Sequence, residues 1–95
     1  MLYSTLKVIV DKVSGICARL GLDEKEVDNA YFTASERVTG NVQVMVGEIH
    51  MGTEYRLTFD LNGRLVSCER GYWGTSNESP SYCPVTPLTF ASLLF

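Results

Sequence analysis

Along the first twenty residues, apolar side chains recur at steps of four and three: Leu2, Leu6, Ile9, Val13, Ile16 and Leu20. That is the period of a helix. Val10 and Cys17 widen the stripe, and Gly21 follows as a C-terminal stop. The repeat runs for fewer than three heptads and the stripe is broad, so the helix is expected to pack on the protein's own sheet and not in a coiled coil. In the next segment, LDEKEV, Asp23 can cap a short second helix starting near Glu24. Glu26 sits at the capping-box position, and Leu22 and Val27 have the spacing of a hydrophobic staple. The acids Asp23, Glu24, Glu26 and Asp28 favour the positive end of such a helix. They also form a candidate docking face for a basic partner.

From Ala30 the period changes to two. The segments YFTASERV, NVQVMVGEIHM, EYRLTFDL and RLVSCERGYW read as strands joined by TGN, GT and NG, which are turn signals, and together they predict an antiparallel meander of three to four strands. Val27, Ala30, Tyr31, Ala34 and Val38 would also suit a longer second helix. With Asn62 and Gly63 as a two-residue turn, Leu61 would face Arg64, Phe59 would face Val66 and Leu57 would face Cys68 on the apolar side. On the other side Thr58 would face Ser67 and Arg56 would face Glu69. Val42, Val44 and Val46 alternate correctly while Ile49 and Met51 fall out of phase, so a bulge is expected at Gly47, bringing Glu48 beside Arg56. Near the end of the chain, Thr86 as N-cap and Pro87 at the first helical position predict a short C-terminal helix. Its apolar last residues need a docking place, on the chain's own core or on a second subunit. The whole is a single α+β domain spanning residues 1–95: an N-terminal helix and a short second one on one face of the meander, plus the C-terminal helix. Helix plus meander resembles several superfolds, cystatin-like and PepSY-like domains among them, and no motif is specific enough to name a family.

Ninety-five residues are enough for one core without staples. Eight Lys plus Arg stand against eleven Asp plus Glu, a net charge of -3. Phosphate-reading proteins need a clustered basic excess, so direct nucleic-acid binding is not expected. Cys17, Cys68 and Cys83 are odd in number and form no C-x-x-C pair, which reads as reduced thiols in a cytoplasmic protein. The N-terminal apolar pattern carries its charges inside it, unlike a signal peptide, and no run reaches the length of a spanning helix, so no membrane association is expected.

No motif for chemistry survives inspection. His50 and Cys68 fall one whole strand apart in a sequential meander, roughly 10 Å between backbones, a poor base and nucleophile. Cys83 lies in an expected loop with no partner in sequence. Glu48, His50 and Glu54 form only a weak metal set, and Gly71 and Gly74 flank aromatics instead of opening a phosphate loop. No enzyme activity, cofactor or metal is expected.

What remains is the segment around Trp73, the only tryptophan. Counted in twos from Val66, the residues Cys68, Arg70 and Tyr72 continue the helix-covered face, with Tyr72 at the core edge. Ser67, Glu69, Gly71 and Trp73 continue the polar one. Trp73 then either points outward as an interface anchor or is covered by the chain that follows. The leading expectation is a non-enzymatic protein-binding module, a small inhibitor or adaptor of the phage and mobile-element counter-defence type (anti-CRISPR-like). Its candidate binding residues are Trp73, Tyr82, Arg56, Glu69 and Tyr72, with the acidic turn Asp23, Glu24 and Glu26. One alternative is a small-ligand or sensor domain with a pocket between helix and sheet, lined by aromatics such as Tyr55, Tyr72 and Phe90. Another is a structural subunit of an oligomer, with a homodimer forming through the C-terminal segment or a sheet edge.

Overall fold

The computed structural model describes residues 3–22, 31–35, 41–47, 53–72 and 81–94. The expected second helix at Glu24, the bulge partner Glu48 and the tryptophan segment from Trp73 to Pro80 lie outside the described residues. So do Leu2 and His50.

Helix α1 spans Tyr3–Arg19. Its buried stripe is Ile9, Val13, Ile16 and Cys17, residues three and four apart that share one face. Val10 departs from expectation. It is 47 % exposed, because a step of one rotates it off the buried face. The helix ends in a Schellman motif: Gly21 takes a φ of 80°, its N–H donates to the Ala18 carbonyl, and that of Leu22 donates to the Cys17 carbonyl at 2.9 Å. Leu22 and Cys17 both join the core, the apolar contact that accompanies this motif.

Among the described residues five antiparallel strands follow, β1 (Tyr31–Ser35), β2 (Asn41–Val46), β3 (Tyr55–Phe59), β4 (Leu65–Tyr72) and β5 (Ser81–Pro84). They lie in sequence order in one sheet. Tyr31–Ser35 is a strand and not an extension of a helix: it pairs with β2 from Tyr31 opposite Met45 to Ser35 opposite Asn41. The fifth strand was not expected. SYCP is short, with Ser and Pro at its ends, yet it lies along β4 with Tyr82 opposite Gly71. Pro84 is tolerable there because β5 is an edge. At the end of β2, Gly47 takes a φ of 76° where a Cβ would strike the Thr53 carbonyl.

The β3–β4 hairpin keeps the expected register over most of its length, with Arg56 opposite Glu69, Leu57 opposite Cys68 and Thr58 opposite Ser67. Its turn differs. Asp60 Oδ1 accepts the N–H groups of Asn62 at 2.9 Å and Arg64 at 3.0 Å. The Gly63 N–H donates to the Asp60 carbonyl, and the Asp60 N–H to that of Arg64. The loop is therefore three residues long and ends on left-handed Gly63, φ 78°, instead of the two-residue Asn-Gly turn. Phe59 consequently faces Leu65, not Val66, and the register shifts between Thr58 and Phe59. Val66 becomes the extra residue of a bulge. It is 47 % exposed and Leu61 is 53 % exposed, while Leu65 is buried. The two one-residue departures cancel, which is why the pairs beyond the bulge match expectation.

The turn is docked onto α1. Lys12 Nζ donates to the Gly63 carbonyl at 2.7 Å, and a Cβ at Gly63 would lie 2.7 Å from Val8 Cγ1. Helix α2, Pro87–Ser92, has the expected N-cap: Thr86 Oγ1 accepts the Thr89 N–H at 3.2 Å, with Pro87 in the first turn. Leu93, just after α2, is buried in the chain's own core, whereas Leu88 is 85 % and Leu94 54 % exposed. No described helix is long and apolar enough to cross a membrane.

Candidate binding surface

The core is one-sided. Val42, Val44, Val46, Leu57, Phe59, Leu65 and Cys68 meet the stripe of α1, leaving Gln43, Met45, Arg56, Thr58, Ser67, Glu69 and Tyr82 on the opposite face by strict alternation. Of these only Thr58, at the centre of the sheet, is buried.

Four side chains of that face are joined. Arg56 and Glu69 are direct cross-strand neighbours, and Arg56 reaches Glu69 Oε1 with Nε at 2.9 Å and with a terminal nitrogen at 2.7 Å. The Arg56 guanidinium also lies over the Tyr82 ring, 4.1 Å from its centroid. Tyr82 then donates its hydroxyl to Glu54 Oε2 at 3.4 Å. Gly71 makes this geometry fit. It stands opposite Tyr82 and donates its N–H to the Glu54 carbonyl. A Cβ there would sit 2.8 Å from Glu54 Oε2 and 3.1 Å from the Tyr82 ring. The ring reclines across the space a side chain would fill, covering the glycine's backbone on its way to Arg56.

The electrostatics hold Tyr82 in its neutral form. Its hydroxyl titrates above the ordinary tyrosine range, through desolvation first, then the charge of Glu54 and the hydrogen bond to it, with Arg56 opposing. Tyr82 is therefore a donor and an apolar plate, not a base. Cys68 on the core side is no nucleophile: burial, then Glu69 and Cys17, push its thiol up to about 12. Among the described residues no group of three His, Cys, Asp or Glu could hold a metal ion.

Of the expected site residues, the structure joins Tyr82, Arg56 and Glu69. Tyr72 is not with them. Odd and even positions of β4 face opposite ways, and Tyr72 sits on the helix side, 49 % exposed, with the Arg70 guanidinium 5.5 Å from its ring and 5.9 Å from that of Tyr55. Trp73, Asp23, Glu24 and Glu26 lie outside the described residues. Glu54 and Gly71 were missed as parts of the site. Gly71 shares a face with Glu69 by spacing alone, but its significance needs the strand opposite, which the sequence pattern did not reveal. A cavity of about 530 Å³ does open beside α1, and none of the aromatics Tyr55, Tyr72 and Phe90 lines it. Compared with protein families, with curated proteins and with solved structures, the chain matches none.

Proposed function

We propose that the protein is a non-enzymatic protein-binding module, acting in a cytoplasm as an inhibitor or adaptor of the kind small phage and mobile-element proteins supply. The observation that carries this reading is the joined Arg56–Tyr82 plate on the outer sheet face, clamped by Glu69 and Glu54. Tyrosine and arginine lead among interface hot spots. Here both are already ordered, so a partner would meet them with much of their side-chain entropy spent in folding. A rigid sheet carries them, and the two carboxylates give the patch an acidic rim suited to a basic partner.

The test is a comparison of captured species. Immobilised wild-type protein and the double variant Arg56→Ala/Tyr82→Ala, each held well below its own melting temperature so that both are folded, are exposed to the same lysate of the native host. A defined protein retained by the wild type and lost from the double variant supports the reading. Equal retention by both would retire the outer face as the binding surface. Intrinsic fluorescence adds a second check on the loop. A red, quencher-accessible emission of free Trp73 that turns blue when the partner binds would extend the surface to Trp73.

A further inference from the structure

The cavity beside α1 combines two chemistries. Its buried side is apolar: Ile16 of the helix, Leu65 at the start of β4 and Leu93 after α2, none more than 8 % exposed. Its exposed lining carries Leu94, and its charged residues are mostly basic. Lys12, Arg19 and Arg64 stand against the single acid Asp11, a local excess of positive charge in a chain whose net charge is -3. Lys12 uses one donor on the Gly63 carbonyl and keeps two. Arg19 lies in the last turn of the helix, where it complements the negative end. Neither guanidinium forms an ion pair among the described residues.

Gly15 is the second observation. It lies inside α1 and lines the cavity, although glycine is among the worst residues for a helix interior. Packing does not explain it, since a Cβ built there meets nothing within 4 Å. Gly15 is exposed, and a side chain there would start in open space beside the cavity it lines.

We propose that this cavity is a binding site for a small amphipathic anion, a carboxylate carried on a hydrocarbon body, with the body on Ile16, Leu65 and Leu93 and the head between Arg19 and Arg64. About 530 Å³ falls within the range of sites for a single small molecule, roughly 300–1,000 Å³. Guanidinium groups recognise carboxylates by paired hydrogen bonds. The site is separate from the outer sheet face, so its fate and that of the protein-binding reading are independent.

Amide chemical-shift titration tests it with three probes of equal chain length, decanoate, decanol and decyltrimethylammonium, all below their micellar concentrations. The expected result is saturable decanoate binding with shifts centred on Gly15, Leu65 and Leu93, and far weaker binding of the other two. Arg19→Ala/Arg64→Ala, both at exposed positions, should weaken decanoate by roughly tenfold or more, the ordinary value of a charge-assisted hydrogen bond. Gly15→Phe should abolish binding by filling the space, while Gly15→Ala should retain it and raise the melting temperature. Equal binding of all three probes, decanoate affinity unchanged in the double arginine variant, or shifts centred on the outer face would each overturn the proposal.

Discussion

The two faces of this sheet are made by the same strands and obey different rules. On the helix side Val42, Val44, Val46, Leu57 and Phe59 are at most 1 % exposed, and each is held in the close-packed cluster that includes the stripe of α1, where removing a methylene leaves a void. On the outer side Arg56 and Glu69 retain 27 % and 22 % of their side-chain exposure, and they are fixed by pairwise contacts that water can replace. The first face therefore holds most of the folding free energy. The second holds a specific arrangement at little thermodynamic cost, which leaves it available for recognition.

Truncation on the two faces should show this asymmetry at its largest. Phe59→Ala is expected to cost about 3–5 kcal/mol and Ile9→Ala about 2–5 kcal/mol. Tyr82→Ala loses a part-exposed cation–π contact and a long hydrogen bond, and should cost about 1 kcal/mol. Urea unfolding of the three variants measures all of this. If Tyr82→Ala proved as costly as Phe59→Ala, the outer face would be a second core and the contrast would fail.

Alkaline pH offers a second route to the inner face. The Cys68 thiol, ordinarily near 9.0, is raised to about 12 by burial, so the folded state keeps its proton where the unfolded chain has released it. This contribution is fully present below pH 9 and is lost as pH rises towards 12. The slope is at most about 1.4 kcal/mol per pH unit. Cys68→Ala should remove that slope while lowering stability at neutral pH. Unfolding curves at pH 8 and pH 10 for both proteins decide it, and identical pH dependence would show that the thiol is not held in the core.

Gly71→Ala acts on the other face. Alanine gains roughly 0.5–1 kcal/mol over glycine in a strand, while the new methyl group must displace the Tyr82 ring and the Glu54 carboxylate, both ends of flexible side chains. Stability should stay within about 1 kcal/mol of wild type, yet Tyr82 should leave Arg56. The Tyr82 ring shifts in the NMR spectrum report this directly. An unmoved ring would mean that the glycine is not what seats it.

The contrast between the faces also explains what could be read beforehand. The stripe of α1, the alternating valines of β2 and the Thr86–Pro87 start of α2 are local periodicities or caps, written in adjacent residues. The Arg56–Glu69 pair was legible because opposite charges and matching apolar positions agree on one register. The turn misled, because Asn62-Gly63 signals a two-residue hairpin while Asp60, by accepting two amides, selects a longer one. Strand β5 escaped notice because four residues ending in proline carry no periodicity, and its strand character comes from pairing with β4. The Gly71 seat depends on that pairing, so its meaning was hidden with it.

The smallest expected effect is the sharpest measure of the outer face. Arg56 and Glu69 have two short contacts, 2.9 and 2.7 Å, a geometry that in a dry interior would be strongly coupled. Here both side chains are partly solvated, so a double-mutant cycle with Arg56→Ala and Glu69→Ala should give a coupling of only about 0.2–1 kcal/mol. It should shrink further at high salt, because screening reaches exposed pairs. Tyr82 supplies the discriminating arm. Its ring covers one side of the Arg56 guanidinium and excludes water there, so repeating the cycle in a Tyr82→Ala background should lower the coupling. A coupling above about 2 kcal/mol, insensitive to salt, would show instead that the pair is shielded from solvent. The outer face would then belong to the folded core and could not serve as an open binding surface.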